Sequence, residues 1–149
     1  MDLYKLIKGI EALNKDTNPN WGKMNSSMML MHCSRFIDVY LGKVPFNPIM
    51  FLFGFTFSIF HISYLKYIVK YDVNRYIRNL PTLRFFNTFK YKELDFDKEK
   101  DYLINSLKIV DEYEKDYIVN NFHGRVRNKT FKQVVNFHTS YHLNQFGVL

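Results

Sequence analysis

The residues that could carry out chemistry lie near the end of the chain, within Phe137–Gly147. Two histidines, His138 and His142, stand four positions apart in this segment. On a helix, such positions share one face with their Cβ atoms about 5–6 Å apart, and two imidazoles placed there can ligate one ion at roughly 2.0–2.1 Å. The segment differs from the H-E-x-x-H pattern of zinc peptidases, because Thr139 stands where the general-base glutamate would be. The spacing therefore indicates a metal site without this kind of peptidase chemistry.

A helix is needed to hold this pair, and the sequence predicts one at the end of the chain. Thr130 and Gln133 have the spacing of a capping box at its start, and Gly147 suits the left-handed position past its end. Both histidines fall on the stripe of apolar residues with helical spacing, so they should face the core. A buried imidazole is costly unless both ring nitrogens have partners, and a metal on one nitrogen with a hydrogen bond on the other meets that need. Hydrogen bonding alone is the other interpretation, but two histidines on one stripe favour a metal.

A third candidate ligand, His32, lies on a second predicted helix that begins at Asn25 or Ser26 and ends near Leu41. Apolar residues four positions before and after His32 place it on a core-facing stripe. Taken alone, a histidine in such a place is more often a core residue than a ligand. Its neighbour Cys33 points about 100° away and is interpreted as a small buried hydrophobic residue.

The other histidines receive no chemical role from the sequence. His61 is interpreted as structural, and His123 is expected to be exposed in a loop formed by Asn120–Arg125. Three other side chains lie near enough in helical register to line a pocket beside the candidate ligands: Arg35, Tyr141 and Gln145.

The 149 residues, of which 47% are apolar and 18% aromatic, predict one domain spanning 1–149 and exclude a disordered segment. The single cysteine excludes an intrachain disulfide and is compatible with a reducing compartment. The first residues lack the basic start and apolar run of a secretion signal. These features predict a cytoplasmic location.

Four main helices are predicted, which makes the expected fold an all-α four-helix bundle with a long crossover between its second and third helices. The first helix covers Leu3–Leu13. The third follows Asp95 or Asp97, which are plausible caps, and no convincing strand is found. Its expected inner face consists of Leu103, Ile104, Leu107, Val110 and Tyr117.

The crossover begins with a run, Val44–Leu65, that contains no charged residue. Pro48 suits the first position of a helix capped by Asn47. The prolines limit the helical part to Ile49–Leu65, just short of the roughly 20 residues that a membrane span needs. A helix that is apolar on all sides can instead be buried between packed elements or subunits. We therefore expect a homodimer, formed through the face around Phe51, Phe55 and Ile59.

The second half of the crossover, residues 66–92, holds seven basic residues and one acid, Asp72. A break at Asn79–Thr82 divides it. Basic residues interleaved with aromatic ones can bind single-stranded nucleic acid, but no recognised motif such as that of the RRM is present. A solvated crossover is the favoured interpretation.

Several of these segments together resemble the DinB-like superfamily of four-helix metal proteins, and most closely a branch with no assigned function. The first is Trp21–Met24 followed by Met29–Cys33, which resembles the branch's W-G-K-M…M-L-x-H-C entry to the second helix. The second is the break Leu80–Thr82 before the third helix. The third is Phe122–Arg125 followed by His138–Val148, which resembles an F-F-G-R…H-x-x-H-H-L-x-Q-F-G-V ending.

This resemblance, which spans nearly the whole chain, implies that one histidine from the second helix and two from the fourth bind a divalent metal. The matching residues are His32, His138 and His142. Tyr141 stands where the branch usually has a further histidine, and His123 replaces a phenylalanine, but neither change removes a ligand. Relatives in the superfamily include transferases and isomerases that use low-molecular-weight thiols as co-substrates.

The leading hypothesis is a metal-dependent enzyme, a thiol S-transferase or a hydrolase, with three histidine ligands and a position open for water or substrate. No carboxylate is spaced to act as a base beside His138 and His142, which favours activation of a thiol. The metal could be Zn, Ni, Fe or Mn, since imidazole suits several ions. A non-catalytic helical binding protein is the main alternative, and a nucleic-acid binder using residues 66–92 is a weaker one.

Overall fold

The computed structural model of the protein describes residues 2–45, 47–81 and 86–149. These residues are mostly helical, and a π-helical segment, Tyr64–Val69, directly extends the third helix. The elements of the described residues follow in this order: α1 (Leu3–Ala12), α2 (Ser26–Tyr40), α3 (Pro48–Ser63), α4 (Phe96–Asp111), β1 (Tyr117–Asn120), β2 (Gly124–Arg127) and α5 (Asn128–Gln145). The all-α prediction is therefore right at a coarse level only, because a small two-stranded sheet is present.

The sequence predicts the start of a helix correctly where an Asn or Asp side chain caps its first turn. Asn25 accepts a hydrogen bond from the Met28 amide at 2.9 Å, and Asp95 accepts one from the Lys98 amide at 3.2 Å. Asn47 caps α3, with Pro48 in its first turn. Each side chain serves a backbone N–H that the helix leaves without a partner, so these three predicted starts are confirmed.

The predicted start of the last helix is wrong. α5 begins at Asn128, and the proposed capping pair at Thr130 and Gln133 lies within its first turns. The hairpin supplies the start instead, since β2 runs directly into α5 and the Asn128 amide donates to the Asp116 carbonyl at 2.8 Å. The predicted end is right, because Gly147 has a positive φ of 70° that suits glycine.

The core forms where α1, α2, α4 and α5 pack on one another. Burial of apolar surface on this scale is the main force that holds such helices together. Of the expected inner face of α4, Leu103, Leu107 and Val110 are buried while Ile104 is half-buried. The prediction for Tyr117 is wrong, because this residue is exposed in β1, where exposed and buried residues alternate as in a strand.

The segment predicted to be a loop without strands is an antiparallel hairpin, in which Asn120 pairs with Gly124. The Asn120 side chain closes the turn, because its Oδ1 accepts from the amides of Phe122 and His123 and its Nδ2 donates to the Gly124 carbonyl. Asparagine side chains commonly form such local turns. Each strand has only four residues, which is too short for alternation to mark it against neighbouring helices.

The long connection between α3 and α4 is described as far as Pro81 and again from Phe86. Asn79 has a positive φ of 59°, which agrees with the predicted break before Leu80 and Pro81. Thr82 of that motif and Arg84 of the basic segment lie outside the described residues.

Together with its π-helical extension, α3 is longer than predicted: it runs 22 residues from Pro48 to Val69. The predicted limit at Leu65 is wrong, because the π-helical segment continues the helix to Val69 without a break. Within the described part of the chain, it is the one helix long and apolar enough to cross a membrane by length and composition. Only 17% of its most apolar window is buried in the protein, so most of this apolar surface is not used by the core.

The contact between α3 and the hairpin depends on Gly54. A Cβ at this position would lie 2.6 Å from the Asn121 carbonyl oxygen and 2.8 Å from that of Phe122. Helix propensity alone favours alanine over glycine by about 1 kcal/mol, but a clash with backbone atoms cannot be relieved by a rotamer change. At position 54, the steric clash of an added Cβ should therefore cost more stability than the higher helix propensity of alanine provides.

We predict that Gly54→Ala lowers the free energy of unfolding by about 1–3 kcal/mol, because α3 must move off the hairpin turn. Urea denaturation followed by circular dichroism measures the change. Thr56→Ala, an exposed substitution on the same helix, is the matched control and should stay within about 0.5 kcal/mol of the wild type. An increase in stability for Gly54→Ala would show that the contact with the hairpin is not tight.

Candidate metal centre

The structure brings the three candidate ligands together at the contact between α2 and α5. The ring centroid of His32 lies 5.0 Å from that of His138 and 4.7 Å from that of His142, and the latter two are 4.7 Å apart. One nitrogen of each ring can be chosen so that all three lie within 4.8 Å of one another. The group could therefore hold a single metal ion.

Hydrogen bonds orient two of the three rings. Nδ1 of His32 lies 2.9 Å from the Phe86 carbonyl oxygen, and Nδ1 of His142 lies 2.9 Å from Oε1 of Gln145. In the tautomer that donates these bonds, Nε2 of each ring carries the free lone pair. The Gln145 amide is itself held by the backbone, since its Nε2 donates to the Trp21 carbonyl at 2.5 Å. Metal-binding histidines are typically supported in this way.

The third ring, His138, is held by packing. It stacks on Phe36 with centroids 4.0 Å apart and planes 10° apart. Its Nδ1 is buried and has no hydrogen-bond partner among the described residues. Buried polar atoms are nearly always satisfied in folded proteins, so an orphaned nitrogen beside two oriented imidazoles fits a site that takes a cation.

Burial keeps the whole group uncharged. It lowers the pKa of His142 to about 3, with the neighbouring His32 acting in the same direction. Burial also lowers the pKa of His32, and burial followed by the two adjacent imidazoles lowers the pKa of His138 well below its ordinary value. Since only the neutral imidazole has a lone pair for a metal, all three rings are ready to ligate at neutral pH.

The three histidines line a large cavity of about 1160 Å³ that lies between α3 and the rest of the protein. Tyr141 and Gln145 line it, as expected from their helical register. Arg35 is absent from the lining and donates instead to the Tyr91 hydroxyl at 2.8 Å. The segment Trp21–Met24, which is one of those that resemble the DinB-like branch, forms part of the cavity wall. A substrate of moderate size could therefore reach the histidine group.

The structure contains a second histidine cluster, His61 and His123, which the sequence does not indicate. His123, expected to be exposed, is fully buried, because the hairpin turn folds it inward against α2 and α3. Its Nδ1 is hydrogen-bonded to the Tyr40 hydroxyl, and its Nε2 lies 2.9 Å from Nδ1 of His61. Burial lowers the pKa of His61 to about 4, so this chain of hydrogen bonds is neutral.

The second cluster reaches the same cavity as the first. His61 lines the cavity, and its Nε2 lies 3.5 Å from the Tyr76 hydroxyl. No pattern in the sequence relates His61 to His123, since one stands on α3 and the other in a hairpin turn. Only the fold brings the two together.

Comparisons of the chain with models of protein families, with curated proteins and with solved structures found no match. Membership of the DinB-like superfamily therefore stays a prediction that depends on the sequence motifs.

We predict that Gln145→Met lowers the affinity for a divalent metal by about 10–100-fold, because the variant cannot accept the hydrogen bond that orients His142. Competition with a chromophoric chelator measures the affinity. Gln133→Met, an exposed change on the same helix, is the control and should leave affinity unchanged. Equal affinities for the two variants would show that Gln145 does not position the ligand.

We also predict that the metal-free protein loses stability as the pH falls below about 6.5, the ordinary pKa of histidine. The folded pKa values are depressed, to about 4 for His61 and about 3 for His142, so the unfolded state binds more protons in this window. The stabilisation is complete above about pH 6.5 and is lost as the pH falls toward the folded values, at up to about 1.4 kcal/mol per unit for each such histidine.

Urea midpoints at about pH 7 and about pH 5, measured with a chelator present, test this dependence. His61→Gln should show a shallower slope than the wild type. Equal stability at both pH values would contradict the buried neutral state of these rings.

Proposed function

We propose that this protein is an enzyme that binds one divalent metal through His32, His138 and His142. The observation that supports this most directly is the convergence of three neutral imidazoles in the wall of a cavity large enough for a substrate. Three protein ligands with an open position are typical of catalytic sites, whereas structural zinc sites are usually closed by four. Zn, Ni, Fe and Mn remain the candidate ions.

We further propose that the co-substrate is a small thiol. A metal at this site would lower the pKa of a bound water or thiol. The described residues that line the cavity include no Asp or Glu, so no carboxylate is placed there as a general base for hydrolysis. His61 is a neutral ring on the cavity wall with its pKa lowered to about 4, so the proton of the bound thiol would pass to solvent water.

The charge of the lining supports the same class of co-substrate. Lys23 is the only described lining residue with a charged side chain. Common low-molecular-weight thiols such as glutathione carry carboxylates, which a lysine at the cavity wall would attract. The sulfur of the thiolate would form a bond to an electrophilic carbon, and the leaving group would depart with the electron pair.

The fold is compatible with the family resemblance. We propose that α1, α2, α4 and α5 correspond to the four helices of a DinB-like bundle and that α3 belongs to the crossover. In that arrangement the second and fourth main helices are α2 and α5, which carry the three histidines. A single domain and a cytoplasmic location stay predictions, as does the dimer through Phe51, Phe55 and Ile59.

Nucleic-acid binding is less well supported. Bases would need free aromatic faces to stack on, but the chain's own cations cover several. Arg78 lies over Trp21 at 4.1 Å and Lys66 over Tyr67 at 4.9 Å from the ring centroids.

We predict that the wild type, purified without chelator, contains about one equivalent of divalent metal and that His138→Ala contains little or none. Elemental analysis of both proteins measures this directly. His61→Ala is the matched control, since it removes a cavity histidine outside the group and should retain the metal. Metal-free wild-type protein that takes up none of the four ions would refute the site.

The chemistry is tested separately on protein that holds metal. Transfer from glutathione-like, bacillithiol-like or mycothiol-like donors to electrophilic acceptors should be detectable in the wild type and lost in His138→Ala. His61→Ala should retain both the metal and the transfer activity, because it removes a cavity histidine outside the metal group. Metal binding without any thiol transfer would remove the thiol proposal and leave the metal site intact.

A further inference from the structure

The exposed surface of α3 is the least explained part of the molecule. Phe53 and Phe60 are 71% and 76% exposed, and Leu52 and Ile59 are 67% and 59% exposed. At 100° per residue, the exposed apolar side chains between Ile49 and Phe60 cover an arc of about 220° around the helix. Soluble monomers rarely expose a contiguous apolar patch of this kind unless it binds something.

Both ends of α3 are fixed to the same body. At its start, the Asn47 amide donates to Oδ1 of Asn121 at 3.1 Å, and Nδ2 of Asn121 donates to the Pro45 carbonyl. At its end, Leu65 and Val69 are buried in the core. A helix tethered at both ends to one side cannot cross a bilayer without separating these contacts. It can lie in the plane of a membrane surface, with its open side embedded.

The charges around α3 complement an anionic lipid surface. The run Val44–Leu65 has no charged residue, and exposed basic side chains follow it at Lys66, Lys70, Arg75 and Arg78. The one acid among them, Asp72, is paired with Arg75 at 3.4 Å. Exposed Tyr67 and Ile68 stand among these cations. An apolar helix with basic and aromatic residues at one end is typical of segments that bind anionic headgroups.

We propose that α3 docks the protein onto an anionic lipid bilayer, with its apolar arc at the boundary between headgroups and acyl chains and Lys66 and Lys70 among the headgroups. The dimer predicted from the sequence through Phe51, Phe55 and Ile59 would fit this surface less well, because a two-fold partner covers one face of a helix whereas a lipid surface can cover a wider part of the arc.

Docking would give the cavity a direct opening to the bilayer. Phe53, Phe57 and Phe60 of α3 form one wall of the cavity that contains the three histidines, and Leu80 and Phe89 also line it. An apolar molecule dissolved in the membrane could enter along this wall without crossing water. The docking itself requires no metal and does not depend on the proposed function.

The test is flotation of the full-length wild type with vesicles of phosphatidylcholine alone and with phosphatidylglycerol added. Binding is expected on the anionic vesicles and should weaken as salt rises from about 0.1 to 0.5 M. Leu52→Gln with Ile59→Gln should lower the partition coefficient by about tenfold or more. Lys66→Gln and Lys70→Gln should each lower it by about fivefold.

Matched controls distinguish docking through α3 from nonspecific binding to vesicles. Ile109→Gln removes a 45% exposed apolar side chain from α4, and Lys5→Gln with Lys8→Gln removes two exposed charges from α1; none should change binding. His138→Ala should bind vesicles as the wild type does. Circular dichroism confirms that each variant is folded.

The proposal is overturned if the folded wild type binds neither vesicle type. It is also overturned if light scattering shows a stable dimer that Leu52→Gln with Ile59→Gln dissociates, since a second copy would then cover α3. Equal binding to neutral and anionic vesicles would overturn the role given to Lys66 and Lys70.

Discussion

The contact between α2 and α5 is the constraint on which the site depends. It places His32 against His138 and His142 inside the protein, where a charged imidazole would be strongly disfavoured. The rings avoid this cost by staying neutral. Nδ1 of His32 and Nδ1 of His142 each have a fixed hydrogen-bond acceptor, which is the Phe86 carbonyl for His32 and the Gln145 side-chain amide for His142. These hydrogen bonds also fix the direction of the lone pair on Nε2 of His32 and His142. The same interactions that stabilise the buried rings therefore orient them for a cation.

The parts of this arrangement that follow local rules could be predicted from the sequence. His32, His138 and His142 stand on apolar stripes with helical period, and a stripe of that kind must face the core whatever the tertiary fold. The caps at Asn25, Asn47 and Asp95 were likewise readable, since each depends on a side chain that bonds within its own first turn. These helix starts are predicted correctly because no contact with a distant part of the chain replaces the capping hydrogen bonds.

The parts that could not be predicted depend on partners far away in the chain. His123 lies in a hairpin turn whose composition suggests exposure, and its burial follows from contacts with Tyr40 and His61, which are remote in sequence. α5 starts before Thr130 because β2 leads directly into it and the Asn128 amide is already hydrogen-bonded to the Asp116 carbonyl. The extension of α3 to Val69 uses π-helical geometry, which leaves no simple periodic signal.

The two histidine clusters show why residue type alone does not identify a ligand. In the second cluster, both nitrogens of His123 are occupied, by Tyr40 and by His61, so this ring has no lone pair left for an ion. In the first cluster, the ring of His138 is half-buried, and its buried Nδ1 has no partner among the described residues. A buried ring with complete hydrogen bonding is explained by the fold, whereas an incomplete one calls for a further partner. That difference in hydrogen bonding, and not the number of histidines, is what makes His32, His138 and His142 the group that could hold a metal ion.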